Sequence, residues 1–124
     1  MRRKGIRALK MELASLEARL REAERELGNE RALAWGLLNA FDDPVFIKDR
    51  SHRWVFVNDA ACQLWRQPRE NLIGKTDHSV FPKEQADGYW EKDDLVFETE
   101  SPLLSEEDQT IAGRLHTIST RKSI

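Results

Sequence analysis

The chain has one cysteine, Cys62, so no intramolecular disulfide can form and nothing points to an oxidising compartment. Long apolar runs are also missing. None exceeds five residues, and charged side chains make up 34% of the sequence, which excludes a bilayer-spanning segment. No apolar stretch of signal-peptide type follows the basic start Met1-Arg2-Arg3-Lys4. The expected location is the cytoplasm, and an upstream membrane tether would leave no mark on these residues. The formal net charge is only −2, so the chain as a whole makes no case for a polyanionic partner.

Charge is present, but unevenly. Residues 1–41 carry nine Lys/Arg against six Glu, whereas residues 42–124 carry eleven against sixteen Asp/Glu. Arg2, Arg3, Lys4, Arg7 and Lys10 precede the first acid, Glu12. So short a cluster binds anionic surfaces weakly, and no aromatic is interleaved with it to stack on bases, so it is read as a solvated helix start with no nucleic-acid partner.

From Ile6 the apolar residues recur in alternating steps of three and four. Ile6, Leu13, Leu20, Leu27, Ala34 and Phe41 take heptad position a; Leu9, Leu16, Ala23 and Leu37 take d, with Glu30 the one break. The residues between are mostly Arg, Glu, Lys and Ala, all strong helix formers. A helix of this length runs to roughly 50 Å, more than a domain of the remaining size can cover, so a homodimeric coiled coil is expected. Its interface is Ile6, Leu9, Leu13, Leu16, Leu20, Ala23 and Leu27. In a parallel pair Arg19 faces Glu24 and Glu26 faces Arg31, against one repulsive pairing of Glu12 with Glu17. Gly28-Asn29 marks an expected bend, after which Ala32 to Phe41 turn to the globular part.

Asp42-Asp43-Pro44 ends the helix, because a residue before proline avoids helical angles. Two strands are expected over Pro44–Asp49 and Trp54–Asn58. The first is apolar on consecutive residues, so both its faces should be covered. Asn58 or Asp59 can cap a helix over Ala60–Trp65. Single turns follow at Pro68–Leu72 and Asp77–Val80. Pro82 suits the first position of a helix over Lys83–Glu98, with Ala86, Trp90 and Phe97 on one face. Leu103–Thr110 and Arg114–Lys122 read as strands around an Ala112-Gly113 turn.

This order resembles PAS sensor domains of bacterial signalling proteins. The pieces that carry the resemblance are Asp43-Pro44, Lys48-Asp49, Val57-Asn58, Gly74-Lys75-Thr76-Asp77, Phe81-Pro82, and Glu98-Thr99 ahead of Pro102. It implies an α+β fold: a PAS-like antiparallel sheet with short flanking helices over 42–124, preceded by a coiled-coil helix over 1–41. It also implies a fifth strand, lying centrally between the first and fourth, and only four are supplied. Either the natural chain continues past Ile124, which is the preferred expectation, or a neighbouring segment fills the slot; the given stretch by itself should be marginal and prone to pair through its open edges.

Several chemistries are excluded by single positions. Gly74-Lys75-Thr76 imitates the end of a phosphate-binding loop, but Arg69 stands where that motif needs glycine. Flavin-photochemical relatives need a cysteine where Asp77 stands, and haem-binding relatives a histidine from the Lys83–Glu98 helix, which has none; neither cysteinyl-flavin nor haem is expected. His52, His78 and His116 form no metal-ligand spacing and are expected to be solvent-facing or hydrogen-bonded. Cys62 is read as a packing residue. Asp93-Asp94 and Glu106-Glu107-Asp108 are read as solvated faces. No nucleophile–base pair exists, so no enzyme is expected.

The resemblance places any ligand between the inner sheet face and the helices. Candidate lining residues are Phe46, Phe56, Leu64, Trp65, Leu72, Phe81, Trp90 and Phe97, which could equally fill the interior and leave no pocket. The expected function is a sensory input module passing a ligand- or partner-dependent change to an output domain, such as a histidine kinase of a two-component system or a diguanylate cyclase. The alternative is a ligand-free dimerisation scaffold.

Overall fold

A computed structural model describes residues 2–124, without the side chain of Arg2; Met1 and that first basic side chain lie outside the described residues. The chain divides into a helical unit ending at Ala40 and a second unit, Phe41–Ile124.

The first unit is one helix, α1 (Arg2–Asn39), helical without interruption through Gly28 and Asn29. A Cβ built on Gly28 or Gly36 would meet nothing within 4 Å, so neither glycine answers a packing demand within this chain. Ile6, Leu9, Leu13, Leu16, Leu20 and Leu27 are each more than half exposed.

The second unit begins with β1 (Phe46–Lys48) and β2 (Trp54–Val57), an antiparallel hairpin. Its register places Phe46 opposite Val57, Ile47 opposite Phe56 and Lys48 opposite Trp54, so Val55 is an extra residue at a bulge. The bulge resets the alternation. Trp54 and Val57 both enter the core, while Phe56 shares the face of Ile47. The expected covering of both strand faces is incomplete in this chain, because Ile47 remains 46% exposed although Phe56 is buried.

Asn58 then starts α2 (Asp59–Trp65), its side chain accepting the Ala61 N–H at 3.0 Å. The same amide accepts from Val45 N–H and donates to the Asp43 carbonyl, both at 2.9 Å, so one buried side chain ties the entry of β1 to the start of α2. Single 3-10 turns at Arg69–Asn71 and Asp77–Ser79 lead to α3 (Lys83–Thr99), for which Pro82 is the cap and not the first helical residue. Glu100 closes α3 in the left-handed region.

A second antiparallel hairpin, β3 (Leu103–Ile111) and β4 (Arg114–Lys122), finishes the chain. Ala112 (φ 49°) and Gly113 (φ 78°) are both left-handed, the geometry that a two-residue turn needs to match the twist of its strands. Among the described residues the hairpins form two separate two-stranded sheets, and no ladder joins β1 to β4. The architecture is the expected α+β one with the central strand missing from the four. Trp54, Val57, Ala61, Trp65, Leu72, Phe81, Tyr89 and Ile111 form the core, and Phe46, Cys62, Leu64 and Val80 pack against it.

Candidate functional site

With no ladder between the hairpins, an ionic chain connects them. Lys48 projects from β1 on the face of Phe46 and is almost wholly buried; its Nζ lies 2.6 Å from Asp77 Oδ2 and 2.6 Å from Asp93 Oδ2. Lys122, at the end of β4, places its Nζ 2.6 Å from the other oxygen of Asp93. It also lies 3.1 Å from Glu107 Oε1, which no hydrogen bond reaches, so charge alone holds that oxygen. Trp90 Nε1 donates to Asp77 Oδ2 at 3.1 Å. The chain therefore runs Asp77–Lys48–Asp93–Lys122–Glu107 and touches β1, α3, β4, β3 and the turn before α3.

Burial pushes the Asp93 carboxyl up, but the Lys48 and Lys122 ammoniums outweigh it, and the group ionises below the usual carboxylate range. A buried pair of this kind adds little net stability over an apolar replacement, whereas deleting one partner costs about 3–5 kcal/mol. In the placement the two hairpins take, all five groups have an oppositely charged neighbour.

His52 adds an arm from the β1–β2 loop. Its ring stacks on Trp90 at 4.2 Å and an interplanar angle of 6°, with Phe97 edge-on at 6.2 Å. Nδ1 faces Asp93 Oδ2 at 3.2 Å and Nε2 faces Asp94 Oδ1 at 2.8 Å. Consecutive carboxylates of α3 thus hold both ring nitrogens, one from the interior and one from solvent. To reach this position His52 takes a left-handed backbone, φ 64°, uncommon for any residue but glycine.

Two readings of acidic clusters are corrected here. Asp93 and Glu107 are buried, not parts of solvated faces, because each has a lysine to pair with; Asp94, Glu106 and Asp108 are exposed as expected. Lys122 was assigned no role in the sequence, and its burial is as complete as theirs.

The aromatic lining candidates fall into three places. Trp65, Leu72 and Phe81 sit in the core, with Phe46 and Leu64 against it; Phe56 lies opposite Ile47; Trp90 and Phe97 flank His52. Rings in the core touch in sequence, Phe46–Trp65 at 5.7 Å, Trp54–Trp65 at 5.3 Å, Trp65–Phe81 at 5.7 Å and Phe81–Tyr89 at 5.4 Å. Trp54 Nε1 is buried among them with no hydrogen-bond partner. Cys62 is half-buried and burial pushes its thiol up, so it carries little thiolate. His78 is hydrogen-bonded to Asp87 at 2.6 Å. Among the described residues no group of His, Cys, Asp and Glu is arranged to hold a metal, and no helix is long and apolar enough to cross a membrane.

Two short hairpins separated in sequence by small helices and a longer one, packed around an aromatic and ionic interior, define a sensor-type α+β domain. The profile of the PAS fold family matches residues 38–123, and the chain belongs to that family. It is similar to the PAS domain of Bordetella pertussis BvgS, with a TM-score of 0.60 over 75% of this chain and 71% of that one, at 19% identity. Among curated proteins it is similar to the uncharacterized protein y4lL of Sinorhizobium fredii, 39% identical over 88 residues. A diguanylate cyclase of Vibrio cholerae is 32% identical over 71 residues. These stretches cover 70% and 57% of this chain but only 11% and 22% of the two relatives.

Proposed function

We propose that this chain is the sensory input module of a larger signalling protein, that α1 pairs it with a second copy, and that the pair relays a change in the domain to an output domain. The observation that carries this reading is the division of labour between the two units. One exposes six large apolar side chains at heptad spacing along a single helix, and the other encloses an ion chain that joins two otherwise unlinked hairpins. Burying each of those helix side chains against a partner is worth about 1.5–3 kcal/mol, enough to hold a dimer. A signal acts only if it binds two packings differently. The ion chain supplies the element with discrete packings, since losing one contact leaves a charge unpaired. The module itself has no catalytic role and works in the cytoplasm. The output is a histidine kinase or a cyclic-dinucleotide enzyme; the similarity to the Vibrio diguanylate cyclase supports the second.

A small-molecule signal is favoured by the buried, unpartnered Trp54 Nε1, a donor that an acceptor group on a ligand would satisfy. The contiguous core rings favour the other reading, a ligand-free dimerisation scaffold. A thermal-shift screen of the natural full-length protein against metabolites separates them. A ligand present at a hundred times its Kd stabilises the native state by about 2.7 kcal/mol, and a sensor shows that rise with at least one compound. A flat response across a broad metabolite set leaves the scaffold.

A further inference from the structure

Three side chains of α3 reach the backbone of β3. Gln85 Oε1 accepts the Thr110 N–H at 2.8 Å while its Nε2 donates to Thr110 Oγ1 at 2.9 Å. The Tyr89 hydroxyl donates to the Asp108 carbonyl, and Lys92 Nζ donates to the Glu106 carbonyl at 3.2 Å. Their spacing in sequence makes this possible. Residues four and three apart on one helical face advance ~6 Å and ~4.5 Å against ~6.8 Å between alternate residues of a strand running the other way, a difference that long side chains can span.

These backbone groups are the ones β4 does not use. Ile111 and Arg114 pair across the two-residue turn, so Ile111, Gln109 and Glu107 direct their backbone groups to β4, and Thr110, Asp108 and Glu106 direct theirs outward. We infer that Gln85, Tyr89 and Lys92 close the outer edge of β3 against strand pairing with a second copy of this chain. An uncovered nine-residue edge strand is a template for such pairing, and covering it is how native sheets avoid that outcome. The outer edge of β2 is closed by a loop in the same manner: Trp54 N–H donates to Lys75 O at 3.0 Å, Gly74 N–H donates to Trp54 O at 2.8 Å, and Arg69 Nε donates to Val57 O at 3.0 Å. The three α3 side chains also line a groove of about 370 Å³ with Glu84, Glu106 and Asp108, and a strand entering there would have to displace all three of their bonds to the β3 backbone. Burial, then the Glu107, Asp77 and Asp108 carboxylates, push the Tyr89 phenol well above its ordinary range, so it stays a donor.

The test is the full chain carrying Gln85→Ala, Tyr89→Phe and Lys92→Ala, followed by sedimentation velocity over a hundredfold range of concentration. The expected result is species larger than the wild-type assembly that grow with concentration, reversed by adding Asp108→Pro, whose nitrogen faces outward and would block the edge. A folded triple variant that sediments as wild type, or association that persists with Asp108→Pro, overturns the inference. Should the triple variant fail to fold, Gln85→Ala alone is read by amide exchange at Thr110. About tenfold faster exchange than wild type supports the inference, and an unchanged rate overturns it.

Discussion

Lys48 and Lys122 sit on hairpins that share no ladder, yet each holds one oxygen of the same carboxylate, Asp93, at 2.6 Å. That single group on α3 fixes the spacing between the first strand and the last.

Asp93→Asn should therefore be among the most damaging single substitutions in the domain. It leaves two buried ammoniums short of a counter-charge and is expected to cost about 3–5 kcal/mol, read from urea unfolding. The pH dependence carries a sign. Asp93 ionises below its unfolded value, near 3.9 for a free Asp, so its contribution is complete above about pH 5 and is lost as pH falls through the folded-state value. The wild type should lose stability over that acid window, and Asp93→Asn should lose less.

Lys48→Met and Lys122→Met should not be additive. Both act on Asp93, so the first deletion already weakens the placement of the carboxylate that the second lysine needs. A double-mutant cycle should show a coupling of about 0.5–3 kcal/mol. Additivity within experimental error would show that the two lysines act separately.

Asn58→Ala should cost more than the ~0.5–2 kcal/mol of an ordinary helix cap, because the lost side chain also serves Val45 and Asp43. Asn58→Asp keeps the acceptor but not the donor to the Asp43 carbonyl, and should fall between wild type and Asn58→Ala in chemical denaturation.

Periodicity made most of the fold legible. The α3 and β4 bounds and the Ala112-Gly113 turn follow from helical spacing, strand alternation and turn chemistry, all of them local signals. The ion chain was harder to see because its members are far apart in sequence. Two signals were nonetheless present. Lys48 shares a strand face with Phe46, and Asp93 lies within the helical face marked by Ala86, Trp90 and Phe97. A lone charge on an apolar face reads as an intrusion until its partner is known, and only the fold brings Lys48, Asp93 and Lys122 together. Phe56 was harder to place for another reason: the bulge at Val55, which nothing in the sequence announces, leaves Trp54 and Val57 in the core and sets Phe56, also buried, on the face of Ile47.

The account rests on α1 as the device that pairs two input domains, and sedimentation equilibrium tests it most directly. Wild type should show twice the 14.4 kDa of one chain, and replacing Leu13, Leu16 and Leu20 by Gln should return the mass to that of a single chain with the Phe41–Ile124 unit still folded. A monomeric wild type, or a dimer that survives all three substitutions, would contradict it.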